Sequence, residues 1–267
     1  MVGTRSPEGV PAGLATRRID FDDPESLADG FADVDTLLLI SAGYGEDDTV
    51  IARHGAAIEA VEKAGVRHVV YTSLTAAGDH LPYALPHRWT ERRLMGGTTC
   101  WTILRNGLYA ELLAGFAVTD PDGKLTVPLA GGRLAAVARE DLADVAARVV
   151  TEASSHVGRI YELVGEQAIG GCDLAEVLTD ATGTTVSYEP VTLARTRETL
   201  SVSGAAAFQV PMMVGTLSAI ASGVMDATEG DLASLLGKAP RSALTVIAAA
   251  VNSRTPAGDK RAQGLGH

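Results

Sequence analysis

Five stretches of the sequence place small, polar or guanidinium groups directly after β-rich runs. They are Arg5, Asp20-Phe21, Ser41-Ala42-Gly43, Thr72-Ser73 and Arg105-Asn106-Gly107. In a parallel sheet covered by helices, ligands bind beyond the carboxyl ends of the strands, at the topological switch point. A row of such side chains and exposed backbone suits a dinucleotide lying across that crevice. Any one of these positions is also what a strand end requires, because polar turn residues end strands generally. The signal is the row.

The elements that must position the row follow from periodicity. Met1–Thr4 and Thr16–Phe21 read as strands, and Asp22-Asp23-Pro24-Glu25 opens a short helix with an Asp cap and an early proline. Leu37-Leu38-Leu39-Ile40 is a continuous apolar run, as a strand buried on both faces requires. Val50, Ala57, Ile58 and Val61 define a helix over Thr49–Ala64, which Gly65 ends. His68–Thr72 is the next strand, Pro86–Met95 a helix, and Trp101–Arg105 a strand. This alternation predicts βαβ crossovers in one doubly wound α/β sheet. Further along, Asp141–Glu152 is helical, Arg159–Val164 a strand, and Leu174–Leu178 lies in a helix ended by Gly183. Leu193–Gly237 suggests a smaller, mostly helical subdomain. The expected organisation is 1–165 as an NAD(P)-binding domain, 166–251 as a substrate-side subdomain and 252–267 as a disordered tail.

Composition narrows the classes. The chain has 267 residues, 46% hydrophobic and 21% charged, which suits a folded core. A net charge of -11 argues against nucleic acid or an anionic membrane as partner. No apolar run is long enough to span a membrane, and no signal peptide is recognisable, so the expected location is cytoplasmic. Cys100 and Cys172 form no ligand cluster and are expected as reduced, largely buried thiols. No metal is expected. His54 reads as a structural histidine on its helix, His156 as an exposed loop residue, and Glu46-Asp47-Asp48 as helix N-capping.

Met1-Val-Gly-Thr-Arg-Ser-Pro-Glu8, Leu37–Ser41, Ala64-Gly-Val-Arg-His68, Tyr71-Thr-Ser-Leu74 and Leu104-Arg-Asn-Gly107 together resemble the NmrA-like atypical short-chain dehydrogenases. Within them the chain is most similar to the bacterial type 2 NAD(P)H:quinone oxidoreductases. The resemblance covers roughly residues 1–190 and implies a Rossmann-like fold, NADPH (with NADH as an alternative) and hydride transfer to a quinone without flavin. By resemblance, Arg5 would contact the 2′-phosphate of NADPH, where a guanidinium forks onto phosphate oxygens. Asp20 and Phe21 would flank the adenine. Ser41, Ala42 and Gly43 would line the ribose and pyrophosphate, and Thr72 and Ser73 would approach the nicotinamide. Asn106 and Tyr109 would shape the quinone pocket.

Two departures qualify this. The family opens with a strand and a glycine-rich turn that hold the pyrophosphate, whereas this sequence begins at what reads as the second strand. A central strand would then be lacking, and the rest must close up, recruit a partner chain or leave a weakened sheet. The reading favours a start placed too late over a remnant that has lost cofactor binding. Apolar surface at a broken sheet edge favours a homodimer. The second departure is that no Tyr-x-x-x-Lys pair exists; His87 and Glu91 stand at its place. Glu91 is expected to favour protonated His87, which could then donate to a reduced quinone oxygen or simply form a surface pair. The sequence-level conclusion is an NAD(P)H-dependent quinone oxidoreductase. The alternatives are a non-catalytic NADP(H) sensor that binds a partner protein, and an inactive fragment.

Overall fold

The computed structural model describes residues 1–42 and 45–254. Gly43 of the strand-end row lies outside the described residues, as do 255–267 of the expected tail. Two compact units divide the chain: Met1–Asn106 with Ala143–Glu162, and Gly107–Leu142 with the residues from Leu163 onward.

The first unit begins with β1 (Val2–Thr4), β2 (Thr16–Arg18), α1 (Pro24–Phe31), β3 (Thr36–Ile40), α2 (Asp47–Ala64), β4 (His68–Leu74), α3 (Ala84–Met95) and β5 (Cys100–Asn106). The chain continues through α4 (Ala110–Phe116), β6 (Lys124–Leu125), β7 (Arg133–Ala135), α5 (Arg139–Thr151) and β8 (Arg159–Leu163). It ends with β9 (Ala168–Gly170), α6 (Gly171–Thr182), β10 (Ser187–Tyr188), α7 (Leu193–Val202), α8 (Gln209–Ala221), α9 (Leu232–Leu236) and α10 (Ala243–Arg254).

Local chemistry accounts for the boundaries. Asp23 caps α1 by accepting from the Ser26 amide, with Pro24 at the first helical position. Gly65 ends α2 and Gly183 ends α6 in the left-handed region, at φ 71° and 70°, where a Cβ would be strained. The helix α10 runs to Arg254, so Asn252–Arg254, read from sequence as tail, are helical.

The main sheet has the order β3-β4-β5-β8, with β3, β4 and β5 parallel. In register, Leu37, Val69 and Trp101 form one cross-strand row and Leu39, Tyr71 and Ile103 the next. These rows point to one face, since side chains alternate along a strand. Leu39, Val69 and Tyr71 are buried there with Leu27 and Phe31 of α1, Ala57, Ile58 and Val61 of α2, and Leu94 of α3, with Leu37 and Trp101 packed against this core.

The strands β1 and β2 pair parallel with each other in a separate two-stranded sheet. The strands have therefore not closed up: among the described residues, β1 pairs only with β2, and β3 pairs only with β4. The expectation for Leu37–Ile40 is corrected accordingly. It is an edge strand in which only Leu39 is fully buried and Ile40 is 63% exposed, because no described strand lies along its second edge.

The second unit carries the small pairs β6–β10, parallel, and β7–β9, antiparallel. Its helix α10 packs on α4 and α6. The fully buried Asp141 accepts from the amide and the guanidinium of Arg241. No described helix is long and apolar enough to cross a membrane.

Both thiols are exposed, contrary to expectation. Cys100 sits where β5 enters the sheet and Cys172 in the first turn of α6, positions with few covering neighbours. His156 shows the reverse error. It is 8% exposed, with Nδ1 2.8 Å from the Tyr161 hydroxyl and its carbonyl accepting from Thr102 at 2.8 Å.

A graded stability test follows from the edge position of β3. Ile103→Ala, at a fully buried position of β5, should cost about 3 kcal/mol, as buried aliphatic truncations do. Ile40→Ala should cost under about 0.5 kcal/mol, as at a surface site. Urea denaturation of both variants measures this; equal costs would contradict the exposed edge.

Candidate functional site

A cavity of about 760 Å³ lies in the first unit between β1 and β3. Gly3, Val34, Leu37, Leu38 and Val150 contribute to its apolar body. The carboxyl ends of the strands supply a polar mouth, where the structure gathers Arg5, Asp20, Phe21, Ser41 and Ala42 from the strand-end row. Asp22 and Arg53 also line it.

The mouth holds two guanidiniums in different states. Arg53 binds Asp22 through two contacts, Nε–Oδ1 at 2.7 Å and Nη2–Oδ2 at 2.6 Å. That fork holds the Asp22 carboxyl below its ordinary range, opposed by desolvation and helped by the nearby charges of Arg53 and Arg5. No described residue hydrogen-bonds the exposed Arg5 guanidinium, so it is available to an anion. Asp20 is turned into its own loop: Oδ1 accepts from the Asp22 amide and its backbone is latched by Ser26 Oγ. Phe21 packs on the core beneath α1 and α2.

The end of β3 is held from within. Ser41 N–H donates to Thr72 Oγ1 at 3.0 Å, and Ala42 N–H donates to His54 Nε2 at 2.9 Å. Both amides are therefore committed inside the protein, and neither offers its hydrogen to a ribose or pyrophosphate. Thr72 is occupied by the same bond. Ser73 is 4% exposed and donates to Glu91 Oε1 at 2.6 Å, so neither residue lines the cavity.

His54, read as structural, is the clamp on this strand end. Because Nε2 accepts from Ala42, Nδ1 must carry the hydrogen and donate to Thr90 Oγ1 at 2.7 Å; Thr90 in turn donates to the Pro86 carbonyl. Burial, with a smaller contribution from His87, lowers the His54 pKa to about 4. Its position on the apolar stripe of α2, four residues after Val50 and three before Ala57, is the sequence signal that marks it as inward-facing.

His87 is not paired with Glu91. Its Nδ1 lies 3.0 Å from the Tyr71 hydroxyl, inside the helix–sheet layer. Burial, and then the Arg88 charge, lower its pKa to about 4, and the weaker pull of Glu91 does not reverse this. The expectation of a protonated imidazole is thereby corrected: His87 is neutral near pH 7 and acts as a hydrogen-bonding group, not as an acid.

Glu91 instead forms the hub of a buried ionic cluster that sequence reasoning missed. Its carboxylate, 3% exposed, accepts from Ser73 Oγ, Arg88 Nη1 (2.7 Å), Arg105 Nε (3.0 Å) and Arg105 Nη2 (2.7 Å). Desolvation pushes its pKa up, but the Arg105 and Ser73 hydrogen bonds and both guanidinium charges hold it below the ordinary value. Arg105 reaches on to Glu162, which also accepts from Thr75 Oγ1 and the Ala76 amide. At the end of β5, Asn106 Oδ1 is buried without a hydrogen-bond partner among the described residues. Tyr109 lies in the second unit, 39% exposed, with the Arg139 guanidinium 5.7 Å from its ring centre. No group of three or more His, Cys, Asp or Glu among the described residues forms a metal-binding cluster.

A parallel sheet flanked by helices, with a crevice at its strand ends, defines a Rossmann-like fold, and the comparisons agree. The NAD(P)H-binding family model matches residues 2–153, more than half of the chain, and the chain belongs to that family. Quinone oxidoreductase 2 of Escherichia coli is 36% identical over 180 residues, 66% of this chain; the match spans 62% of that relative's length. An NmrA-like family domain-containing oxidoreductase of Aspergillus flavus is 28% identical over 239 residues, covering 85% of this chain and 77% of that one. Among solved structures, the Citrobacter sp. triphenylmethane reductase complexed with NADP(H) superposes with a TM-score of 0.79 at 29% identity, covering 88% of this chain and 83% of its own.

The two low-pKa histidines set a pH dependence. Unfolded, each titrates near 6.5; folded, near 4. Between those values the unfolded chain holds more protons, so stability is full above pH 6.5 and falls as pH drops towards 4. The slope is about 1.4 kcal/mol per pH unit for each histidine. Urea midpoints across this window should fall steadily, and His54→Gln, which keeps both hydrogen bonds without titrating, should flatten the profile. An unchanged slope in His54→Gln would contradict the neutral clamp.

Proposed function

We propose that this chain is an NADPH-dependent oxidoreductase that passes a hydride to a quinone-type acceptor. Family membership supports the cofactor class, and the relatives named above support the reaction class. The observation that carries the choice of NADPH is Arg5, an exposed guanidinium at the mouth of the cavity that no described residue hydrogen-bonds.

The residues present fit the adenosine end of the cofactor. Arg5 would hold the 2′-phosphate by a forked, charge-assisted contact, beside the Arg53–Asp22 pair, whose charges offset each other. Phe21 offers an apolar surface to the base. For the pyrophosphate the described residues offer less, since the Ser41 and Ala42 amides are committed and Ser41 Oγ lies 3.4 Å from His54 Nε2. The unpaired Asn106 Oδ1 is the acceptor suited to a carboxamide or hydroxyl donor.

When bound, NADPH supplies the hydride. The protein's share is positioning and electrostatics. His54 and Thr72 fix the end of β3, and the Glu91 cluster fixes the ends of β4 and β5. The phenol of Tyr71 is held neutral by burial and sits on a neutral His87, so the proton that completes reduction of the acceptor comes from solvent rather than from an imidazolium.

Calorimetry with NADPH and NADH, followed by para-benzoquinone turnover, tests the proposal. Arg5→Ala should weaken NADPH binding at least tenfold, the scale of one charge-assisted contact, and leave NADH binding unchanged. Equal loss for both cofactors, or no NADPH consumption with the quinone, would overturn it.

A further inference from the structure

The hydroxyl of Tyr71 is a junction whose hydrogen bonds can be assigned a direction group by group. Tyr71 is 0% exposed, so its O–H needs an acceptor inside the protein. Three groups meet it: His87 Nδ1 at 3.0 Å, and the hydroxyls of Thr90 and Ser41. Thr90 gives its hydrogen to the Pro86 carbonyl and accepts from His54 Nδ1. It has none left for Tyr71, and its oxygen is a weaker acceptor than the lone pair of an imidazole nitrogen. Ser41 Oγ is 3.4 Å from His54 Nε2, but that nitrogen has one lone pair, which the Ala42 amide already holds at 2.9 Å. The Ser41 hydrogen therefore turns to Tyr71, and the Tyr71 hydrogen to His87 Nδ1.

A neutral imidazole that accepts at Nδ1 carries its hydrogen at Nε2. No described residue hydrogen-bonds that Nε2, and His87 is partly exposed. It stands in the first turn of α3, the helix that follows β4, and so at the carboxyl ends of the strands, where ligands of such sheets bind. We infer that His87 Nε2–H is the donor that meets the acceptor's oxygen as hydride arrives, and that Tyr71, backed by Ser41, is the positioning residue that fixes this tautomer. The inference rests on the proposed oxidoreductase reading and deepens it. Hydride leaves the dihydronicotinamide with both electrons of its C–H bond, and the quinone becomes the hydroquinone monoanion. Its negative charge gathers on the oxygen facing His87. The Nε2–H bond does not break; its dipole stabilises that oxygen, and water supplies the proton that completes the hydroquinone. A neutral, fixed donor suits this work because it is already aimed when the charge develops. The charged groups acting on His87 are Arg88 and Glu91, which are paired with each other, and His54 beyond Tyr71 is neutral.

The test combines imidazole nitrogen NMR of the whole chain with para-benzoquinone turnover. The His87 resonances should show hydrogen at Nε2 and a bare Nδ1. Tyr71→Phe, which keeps the ring and loses the hydroxyl, should mix the two tautomers. His87→Leu should lower kcat at least about tenfold, as loss of an oxyanion donor does, and leave NADPH affinity by calorimetry unchanged. His87→Gln, whose amide N–H reaches the place of Nε2, should recover part of that loss, and Tyr71→Phe should fall between. Circular dichroism checks the fold of each variant. In the unaltered chain kcat should stay level from about pH 6 to about pH 8, where an imidazolium acid would lose activity as pH rises. The inference is overturned by hydrogen at Nδ1, by full turnover in His87→Leu, by His87→Gln as slow as His87→Leu, or by a kcat that falls across that range. An unaltered chain that binds NADPH but never consumes it with the quinone fails the oxidoreductase reading itself, and the donor role with it. The tautomer is read without turnover, so the two failures are told apart.

Discussion

Glu91 is a carboxylate almost without solvent, and the carboxyl ends of the main strands are arranged around keeping it charged. An unpaired buried charge costs several kcal/mol, so its four hydrogen bonds act as a unit, and removing one partner is far worse than replacing the whole set. Ser73 brings β4 to it, Arg88 brings α3, and Arg105 brings β5 and, through Glu162, β8. Geometry at the strand ends is therefore fixed by electrostatics as much as by packing. The same cluster turns Ser73 away from the cavity.

A second, neutral set of contacts does the same for β3. The chain Ala42 to His54 to Thr90 to Pro86 ties the strand end to α2 and α3 and dictates one tautomer of one histidine. Its consequence for binding is direct. The Ser41 and Ala42 amides are already donors to the protein's own side chains, so under the proposed function recognition of an anion falls to a side-chain guanidinium. Arg53 is neutralised by Asp22, whereas no described residue hydrogen-bonds the exposed Arg5 guanidinium.

Much of the fold was legible because the signals are local. An Asp-Pro helix start, a glycine in the left-handed region after Ala64, and apolar runs at His68–Thr72 and Trp101–Arg105 each need only neighbouring residues to be read. What failed to be legible depends on distant partners. His54 meets Thr90 across 36 positions, and Arg105 meets Glu162 across 57. Glu91 was read against His87, its neighbour one turn away, whereas Arg105 from another strand determines its state. The exposure of Cys100 and the burial of His156 likewise follow from where β5 begins and what folds under it. The apolar run Leu37–Ile40 was read as a strand buried on both faces; the structure makes it an edge strand in which only Leu39 is fully buried.

The central claim is that the phosphate-recognising group is the Arg5 side chain and not the backbone at the end of β3. Phosphorus NMR of bound NADP, followed across pH, tests it most directly. A guanidinium at the 2′-phosphate favours its dianion, so the second pKa of that phosphate should fall below its ordinary value of about 6 and return to it in Arg5→Ala. A 2′-phosphate that titrates as in free NADP, with only the pyrophosphate resonances displaced, would contradict the account.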